Sequence, residues 1–238
     1  MSIKLFKKKP KIIISLDYTY KKDAMNLVQQ LDPSLYYLKI GKKMFTLYGN
    51  KFIYELKKLN FNIFLDLKFY DIPSTVASAV KAAADIGVFM LTIHVSGGKK
   101  MMKEAYNSLI GFKKKEKPLL IGVTVLTSFN KQNLKDLFIF TSIKKYVLIL
   151  SKLAYKCKLN GVVCPGNYVP YIKKKINNIN KKFQFVVPGI RIKNNLNHDH
   201  YNFITPEKSI KNKINYIVLG RTITNAYNPL YTLKNIFK

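Results

Sequence analysis

Short apolar runs alternate with longer segments of helical character along almost the whole chain, and this alternation most constrains the fold. Eight such runs are present, and each is followed by one helical segment or by a loop and a helical segment. Strands that alternate with helices in this way form a parallel sheet. The 238 residues match one (β/α)8 barrel of about 250 residues, so we expect an α/β fold, a single TIM-barrel domain over residues 1–238.

The element boundaries follow from the same pattern. The longest connection, residues 129–140, and the polar stretch 192–203 are predicted to be loops. Predicted strands span residues 11–16, 36–40, 62–68, 88–95, 119–126, 161–164, 185–187 and 216–219. Predicted helices span about 21–31, 43–59, 73–86, 99–110, 141–158, the late 160s to the 170s, 206–213 and the chain from about 226 onward.

The formal net charge of +30 raises the question of a nucleic-acid partner. The lysines, however, are scattered over nearly every polar segment, and no helix-turn-helix, aromatic RNA-binding motif or basic arm stands out. We therefore predict nonspecific adsorption to polyanions and no specific nucleic-acid partner. No apolar run reaches the about 18 residues of a membrane span, so we expect a cytoplasmic protein without membrane contact.

Arginine is rare in this lysine-rich chain. Of 42 basic residues only Arg191 and Arg221 are arginines, and each follows a predicted strand. Because lysine supplies positive charge almost everywhere else, these two sites indicate a need for the planar guanidinium fork, which binds phosphate in a bidentate way. The sequence therefore predicts a phosphate anchor after strands seven and eight, where TIM barrels commonly hold phosphate.

An acid, a base and a second acid lie near the end of the third predicted strand. Asp66 and Lys68 are two residues apart, so a regular strand would direct both side chains to one face. Asp71 follows past the strand end, and Pro73 suits the first turn of the next helix. A lysine between carboxylates is favoured in its charged form, which makes Lys68 a candidate proton donor.

Other polar residues also fall at predicted strand ends, where a TIM barrel places its active site. Asp17 follows strand one, Lys39 lies near the end of strand two, and Thr127 follows strand five. The histidines and the cysteines Cys157 and Cys164 show no metal-ligand spacing, so we predict no metal and no cofactor.

Several segments in order resemble the orotidine 5′-phosphate decarboxylase family. The segment FLDLKFYDIPST at residues 64–75 carries the DxKxxD pattern, which related sugar-phosphate decarboxylases share. The further segments make the resemblance specific, and it covers the chain from about residue 11 to the C-terminus. They are SLDY at 15–18, LKIGKKMF at 38–45, HVSGG at 94–98, VTVLTS at 123–128, PGIR at 188–191 and LGR at 219–221.

The resemblance implies a cofactor-free conversion of orotidine 5′-monophosphate into uridine 5′-monophosphate. It implies that Lys68 stabilises and protonates the carbanion at C6, with Asp66, Asp71 and Lys39 as the other catalytic charges. It also implies that Asp17 binds the ribose and that Thr127 contacts the pyrimidine edge. Arg191, Gly220 and Arg221 would bind the phosphate. The remaining substrate-binding positions, near the base, would be Asp66, Lys39, Ile72 and Thr75.

Two further implications concern the neighbouring subunit and a loop. Family members form homodimers in which the residues that match Asp71, Ile72 and Thr75 reach into the partner's site. Where many bacterial members have a glutamine that bridges phosphate and base, this chain has His200. Histidine can donate a hydrogen bond there, with a different reach and pH dependence.

Two alternatives remain open from the sequence. A magnesium-dependent sugar-phosphate decarboxylase of the same superfamily would use the same DxKxxD pattern, although the HVSGG and VTVLTS segments and Lys39 argue against it. A basic RNA-binding or scaffold protein on a decayed barrel is the other. Loss of activity on chelation with EDTA would indicate the first alternative, and salt-dependent RNA affinity would indicate the second.

Overall fold

The computed structural model describes residues 9–176, 179–180, 182–191 and 203–237. Eight parallel strands form a closed barrel in chain order, in which the first strand also pairs with the eighth. The strands are β1 (Lys11–Ser15), β2 (Tyr36–Gly41), β3 (Ile63–Phe69), β4 (Met90–His94), β5 (Leu119–Val123), β6 (Gly161–Val163), β7 (Gln184–Val187) and β8 (Tyr216–Leu219). The predicted (β/α)8 TIM barrel is confirmed.

Helices follow the strands and surround the barrel. They are α1 (Lys21–Val28), α2 (Lys42–Lys58), α3 (Pro73–Ile86), α4 (Gly98–Asn107), α5 (Lys131–Asp136), α6 (Ile143–Lys156), α7 (Val169–Lys175), α8 (Pro206–Lys211), α9 (Arg221–Thr224) and α10 (Pro229–Asn235). Short 3₁₀ turns at Val95–Gly97 and Gly166–Tyr168 lead into α4 and α7.

Two core layers result from the alternation of side chains along each strand. Ile13 packs inside the barrel, whereas its neighbours Ile12 and Ile14 pack outward in the layer shared with the helices. The interior layer closes the lower part of the barrel with large apolar side chains, among them Phe64, Met90 and Ile121. The carboxyl ends of the strands are left for polar side chains.

Two short helices lie outside the predicted helical segments. The connection 129–140 includes α5, whose first turn is capped reciprocally by Asn130 and Asn133. Arg221 opens the one-turn helix α9, ahead of the helix predicted from about residue 226. Both helices are very short, so the apolar periodicity that indicates a helix has too few residues to show in either.

Candidate active site

A cavity of about 480 Å³ opens at the carboxyl ends of the strands, and we call it the strand-end cavity. Its wall brings together eight of the twelve site residues that the sequence predicted. They are Asp17, Lys39, Asp66, Lys68, Thr127, Arg191, Gly220 and Arg221. The remaining four, Asp71, Ile72, Thr75 and His200, are treated separately below.

Four of these residues form a row of alternating charge across β1, β2 and β3. The Lys68 Nζ atom lies 2.8 Å from Asp66 Oδ2. The Lys39 Nζ atom lies 3.7 Å from the same oxygen and 3.4 Å from Asp17 Oδ1. The side chains of Lys39 and Asp66 are each only 11% exposed, so these charges lie in a site where water screens them little.

The carboxylate of Asp66 is the centre of this row. Burial by itself raises the pKa of Asp66, but the positive charges of Lys39 and Lys68 and hydrogen bonds from Lys68 and Thr92 outweigh that effect. The net result is a pKa below the ordinary value for aspartate, so Asp66 is ionised at neutral pH. An ionised Asp66 holds both ammonium groups at one end of the cavity.

Lys68 has an unusual backbone conformation. Its φ angle is +54°, a value that lysine rarely adopts, and the pairing register between β3 and β4 shifts around it. Asp66 and Lys68 nevertheless both face the strand-end cavity, as their spacing of two residues predicts. The strand that carries them is not regular, because β3 bulges at this point.

The two arginines lie at the opposite side of the cavity, after β7 and β8. The Arg191 guanidinium stacks on Phe203, with its central carbon 4.4 Å from the ring centroid. Its Nη1 donates to the carbonyl oxygen of Ile190 at 3.2 Å and to Thr222 Oγ1 at 3.4 Å. Burial, and then the like charge of Arg221, lower the pKa of Arg191, although a guanidinium stays charged at neutral pH.

No carboxylate among the described residues lies within ion-pair distance of either guanidinium. Gly189 permits the packing that orients Arg191. Its φ is +73°, and a Cβ at this position would lie 2.9 Å from Cδ1 of Phe203. This side of the cavity therefore combines the oriented guanidinium of Arg191 with the exposed guanidinium of Arg221, an arrangement that suits an anion.

Asp71, Ile72 and Thr75 do not line the strand-end cavity of their own chain. All three are exposed, and Ile72 has 63% of its surface accessible. The Asp71 carboxylate accepts a hydrogen bond from the backbone N–H of Ile72 at 2.7 Å. Within one chain, the structure does not bring Asp71 into the charge row. His200 lies outside the described residues.

Among the residues that contact the predicted ones, sequence reasoning missed Thr92 and Phe203. Thr92 bonds to Asp66 and to the backbone of Lys68, and Phe203 covers Arg191. A signal for Thr92 was present, because it is the one polar residue among Met90 to Ile93 in a buried strand. Nothing in the sequence around Phe203 indicates that its ring would lie on an arginine.

The part of the chain that the structure describes contains no group of three or more His, Cys, Asp or Glu side chains that could hold a metal ion. In the same part, no helix combines the length and the apolar character needed to cross a membrane.

The fold and the cavity define a (β/α)8 barrel with a charged site at its strand ends. A family profile described as "Orotidine 5′-phosphate decarboxylase / HUMPS family" matches residues 10–236. This chain belongs to that family.

Similar proteins support the assignment over the full length. The chain is 52% identical to a protein named orotidine 5′-phosphate decarboxylase from Buchnera aphidicola subsp. Schizaphis graminum, over 96% of this chain and 95% of that one. It is 43% identical to the Vibrio cholerae protein of the same name, over 95% and 96%. The crystal structure of orotidine 5′-phosphate decarboxylase from Lactobacillus acidophilus superposes with a TM-score of 0.83 at 31% identity, over 96% and 97%.

Proposed function

We propose that this protein decarboxylates orotidine 5′-monophosphate to uridine 5′-monophosphate and carbon dioxide in de novo pyrimidine synthesis. The observation that carries the proposal is one cavity with a partly buried Lys68–Asp66 ion pair at 2.8 Å on one side and Arg191 and Arg221 on the other. A nucleotide has a phosphate for the second side and a base for the first. The names of the relatives favour the same substrate.

The chemical difficulty lies at C6 of the pyrimidine. When the bond from C6 to the carboxylate breaks, carbon dioxide leaves and the electron pair stays on C6, where no carbonyl group delocalises it simply. The Lys68 ammonium then stabilises this carbanion and donates a proton to it, so that the product carries a C6–H bond. Because Asp66 already holds the ammonium, little reorganisation is needed when the charge develops.

Asp66 and Lys39 set up this step. Asp66 lies close to the departing carboxylate in the proposed complex and orients Lys68 through the 2.8 Å contact. Lys39 balances the second negative charge of the row and lies between Asp66 and Asp17. Asp17, whose side chain is 55% exposed, is available to the ribose hydroxyls.

The phosphate side supplies binding energy remote from C6. In the proposed complex Arg191, Gly220 and Arg221 bind the phosphate, and Thr127 meets the pyrimidine edge. His200, which follows β7 in the sequence, takes the place of the family's glutamine. Binding energy from the phosphate can be used to orient the ring over Lys68, so it raises the rate as well as the affinity.

The active unit in this proposal is a cytoplasmic homodimer with shared sites. Asp71, Ile72 and Thr75 are exposed at the start of α3, beside the mouth of the cavity but not in its wall. An exposed isoleucine next to an aspartate suits a contact with a second subunit. There, Asp71 extends the charge row of the partner's site.

Subunit mixing tests the shared site. A Lys68→Ala variant and an Asp71→Ala variant are each expected to be inactive as homodimers. After subunit exchange, a mixed dimer has one site with both residues intact, so about a quarter of the normal activity is expected at full exchange, by the statistics of closed two-fold dimers. Absence of recovery, with exchange demonstrated by mass spectrometry, would contradict the shared site.

The reaction itself is tested by the fall in ultraviolet absorbance of orotidine 5′-monophosphate when the purified protein is added in EDTA. Rapid loss is expected, because the proposed chemistry uses neither metal nor cofactor. A folded protein that acts on a sugar phosphate only with added magnesium would replace this proposal by the metal-dependent alternative.

A further inference from the structure

The bulge in β3 lies directly opposite Thr92. Leu65 pairs with Leu91 and Phe69 pairs with Ile93, so three residues of β3 face a single residue of β4. Two of those three are Asp66 and Lys68. An insertion of this size interrupts the backbone ladder and leaves N–H and C=O groups in need of other partners.

The hydroxyl group of Thr92 supplies those partners. Its Oγ1 accepts a hydrogen bond from the backbone N–H of Lys68 at 2.9 Å and donates one to Asp66 Oδ1 at 2.9 Å. The Thr92 residue is fully buried. One hydroxyl therefore connects the backbone of the proposed proton donor to the carboxylate that orients its ammonium.

The positive φ of Lys68 makes this connection important. A lysine at +54° is held in a sparsely populated region, and such a conformation persists only when its surroundings fix it. The hydrogen bond from the Lys68 N–H to Thr92 is the contact that fixes it across the interrupted ladder. Without that bond, the backbone N–H of Lys68 loses its hydrogen-bond partner, and the position of the ammonium group relative to Asp66 is less tightly fixed.

We propose that Thr92 is a positioning residue, which holds the backbone of Lys68 and the carboxylate of Asp66 in the one arrangement that lets the ammonium act at C6. This inference rests on the proposed function for its kinetic part only. Thr92 does not line the cavity, so it acts through the two charged residues and not on the substrate.

Thr92→Val is the sharpest variant, because valine keeps the shape and β-branching of threonine and removes only the hydroxyl. Loss of two buried hydrogen bonds at a reacting group is expected to reduce kcat about 10- to 100-fold. The KM should change less than about threefold, since the phosphate side of the cavity is untouched. Thr92→Ser keeps the hydroxyl and should retain most of kcat.

Thr124→Val is the matched control. Thr124 is also a buried threonine, directly after β5, and its Oγ1 donates to the carbonyl oxygen of Val163 at 2.8 Å. Thr124 does not itself line the cavity, and its hydroxyl group bonds to none of the residues of the charge row. Thr124→Val should therefore lower stability without a comparable loss of kcat.

The pH dependence of kcat gives a readout that general destabilisation would not move. The charged and titratable groups around Asp66 are Lys39 on β2, Lys68 on β3 and His94 on β4, with Asp17 beyond Lys39. The Thr92 hydroxyl helps to keep the pKa of Asp66 low. Its removal raises that pKa, so the acidic limb of the profile should move to higher pH in Thr92→Val and stay in place in Thr124→Val.

The outcomes separate this inference from the proposed function. A wild-type kcat and an unmoved acidic limb in Thr92→Val would overturn it, as would a Thr92→Ser variant that loses as much activity as Thr92→Val. If the valine variant does not fold, the serine variant decides alone. If the wild-type protein does not decarboxylate the nucleotide, the proposed function fails, and a ¹³C titration of the Asp66 carboxyl group in the wild type and in Thr92→Val still tests the connection without turnover.

Discussion

The two sides of the strand-end cavity differ in whether their positive side chains are paired with carboxylates. On the β1 to β3 side, Lys39 and Lys68 are both paired with Asp66, at 3.7 and 2.8 Å. On the β7 to β8 side, Arg191 and Arg221 have no carboxylate at ion-pair distance among the residues that the structure describes. Paired charges favour fixed geometry, whereas two guanidinium groups that have no carboxylate beside them in the described part of the chain favour the arrival of an anion. The difference indicates that chemistry and anchoring are divided between the two sides.

Among the variants that test this division, Asp66→Asn is expected to have the largest effect on the reaction. Asparagine keeps the shape of the side chain but removes the charge that pairs both lysines, so the Lys68 ammonium is no longer held in place. We expect kcat to fall on the order of 10³-fold, the upper range for loss of one preorganised electrostatic group. The affinity for uridine 5′-monophosphate, measured by calorimetry, should stay within a few fold. An equal loss of kcat and nucleotide affinity would contradict the division.

Arg221→Lys tests the other side with the charge retained. Lysine cannot reproduce the bidentate contact with phosphate, so kcat/KM for the nucleotide should fall about 10- to 100-fold. The affinity for uridine, which has no phosphate, should not change and serves as the internal control. Unchanged kinetics would show that any positive charge suffices at this position.

Phe203→Leu should give the smallest effect of the three. Leucine removes the aromatic face that lies 4.4 Å from the Arg191 guanidinium, and a contact of this kind contributes about 0.5–1 kcal/mol at exposed sites. We expect KM to rise about two- to fivefold, with kcat nearly unchanged, by the same conversion of free energy. Phe237→Leu is the matched control, because Phe237 also faces a cation, Lys9, but lies outside the cavity wall. Equal effects in both variants would exclude a specific role for the Phe203 ring.

The sequence predicted which residues form the side of the cavity with paired charges, but not the backbone geometry that arranges them. Asp17, Lys39, Asp66 and Lys68 are polar residues at the ends of apolar runs, and a parallel barrel brings all such ends together. The bulge at which Lys68 has a positive φ could not be predicted, because the hydroxyl group that bonds to its backbone N–H belongs to Thr92 on another strand. A local sequence pattern does not predict a contact between residues on two different strands.

The arginine side was predicted from the rarity of arginine and from the position of both arginines after predicted strands. Two arginines among forty lysines are informative in any fold, and the barrel then places them together. The orientation of Arg191 depends on Phe203 and Thr222, which the sequence gives no reason to associate with it. Asp71 shows a further limit, because nearness in sequence to Lys68 does not bring it into the same cavity of one chain.

The most direct test of the division is to measure turnover and nucleotide binding together in Lys68→Ala. The initial rate of decarboxylation of orotidine 5′-monophosphate and the dissociation constant of uridine 5′-monophosphate are both determined for this variant and for the wild type. Turnover should fall to the background of the assay while the dissociation constant changes only a few fold, because Arg191 and Arg221 remain. Normal turnover in Lys68→Ala would contradict the central claim that the reaction takes place at the paired side of the cavity.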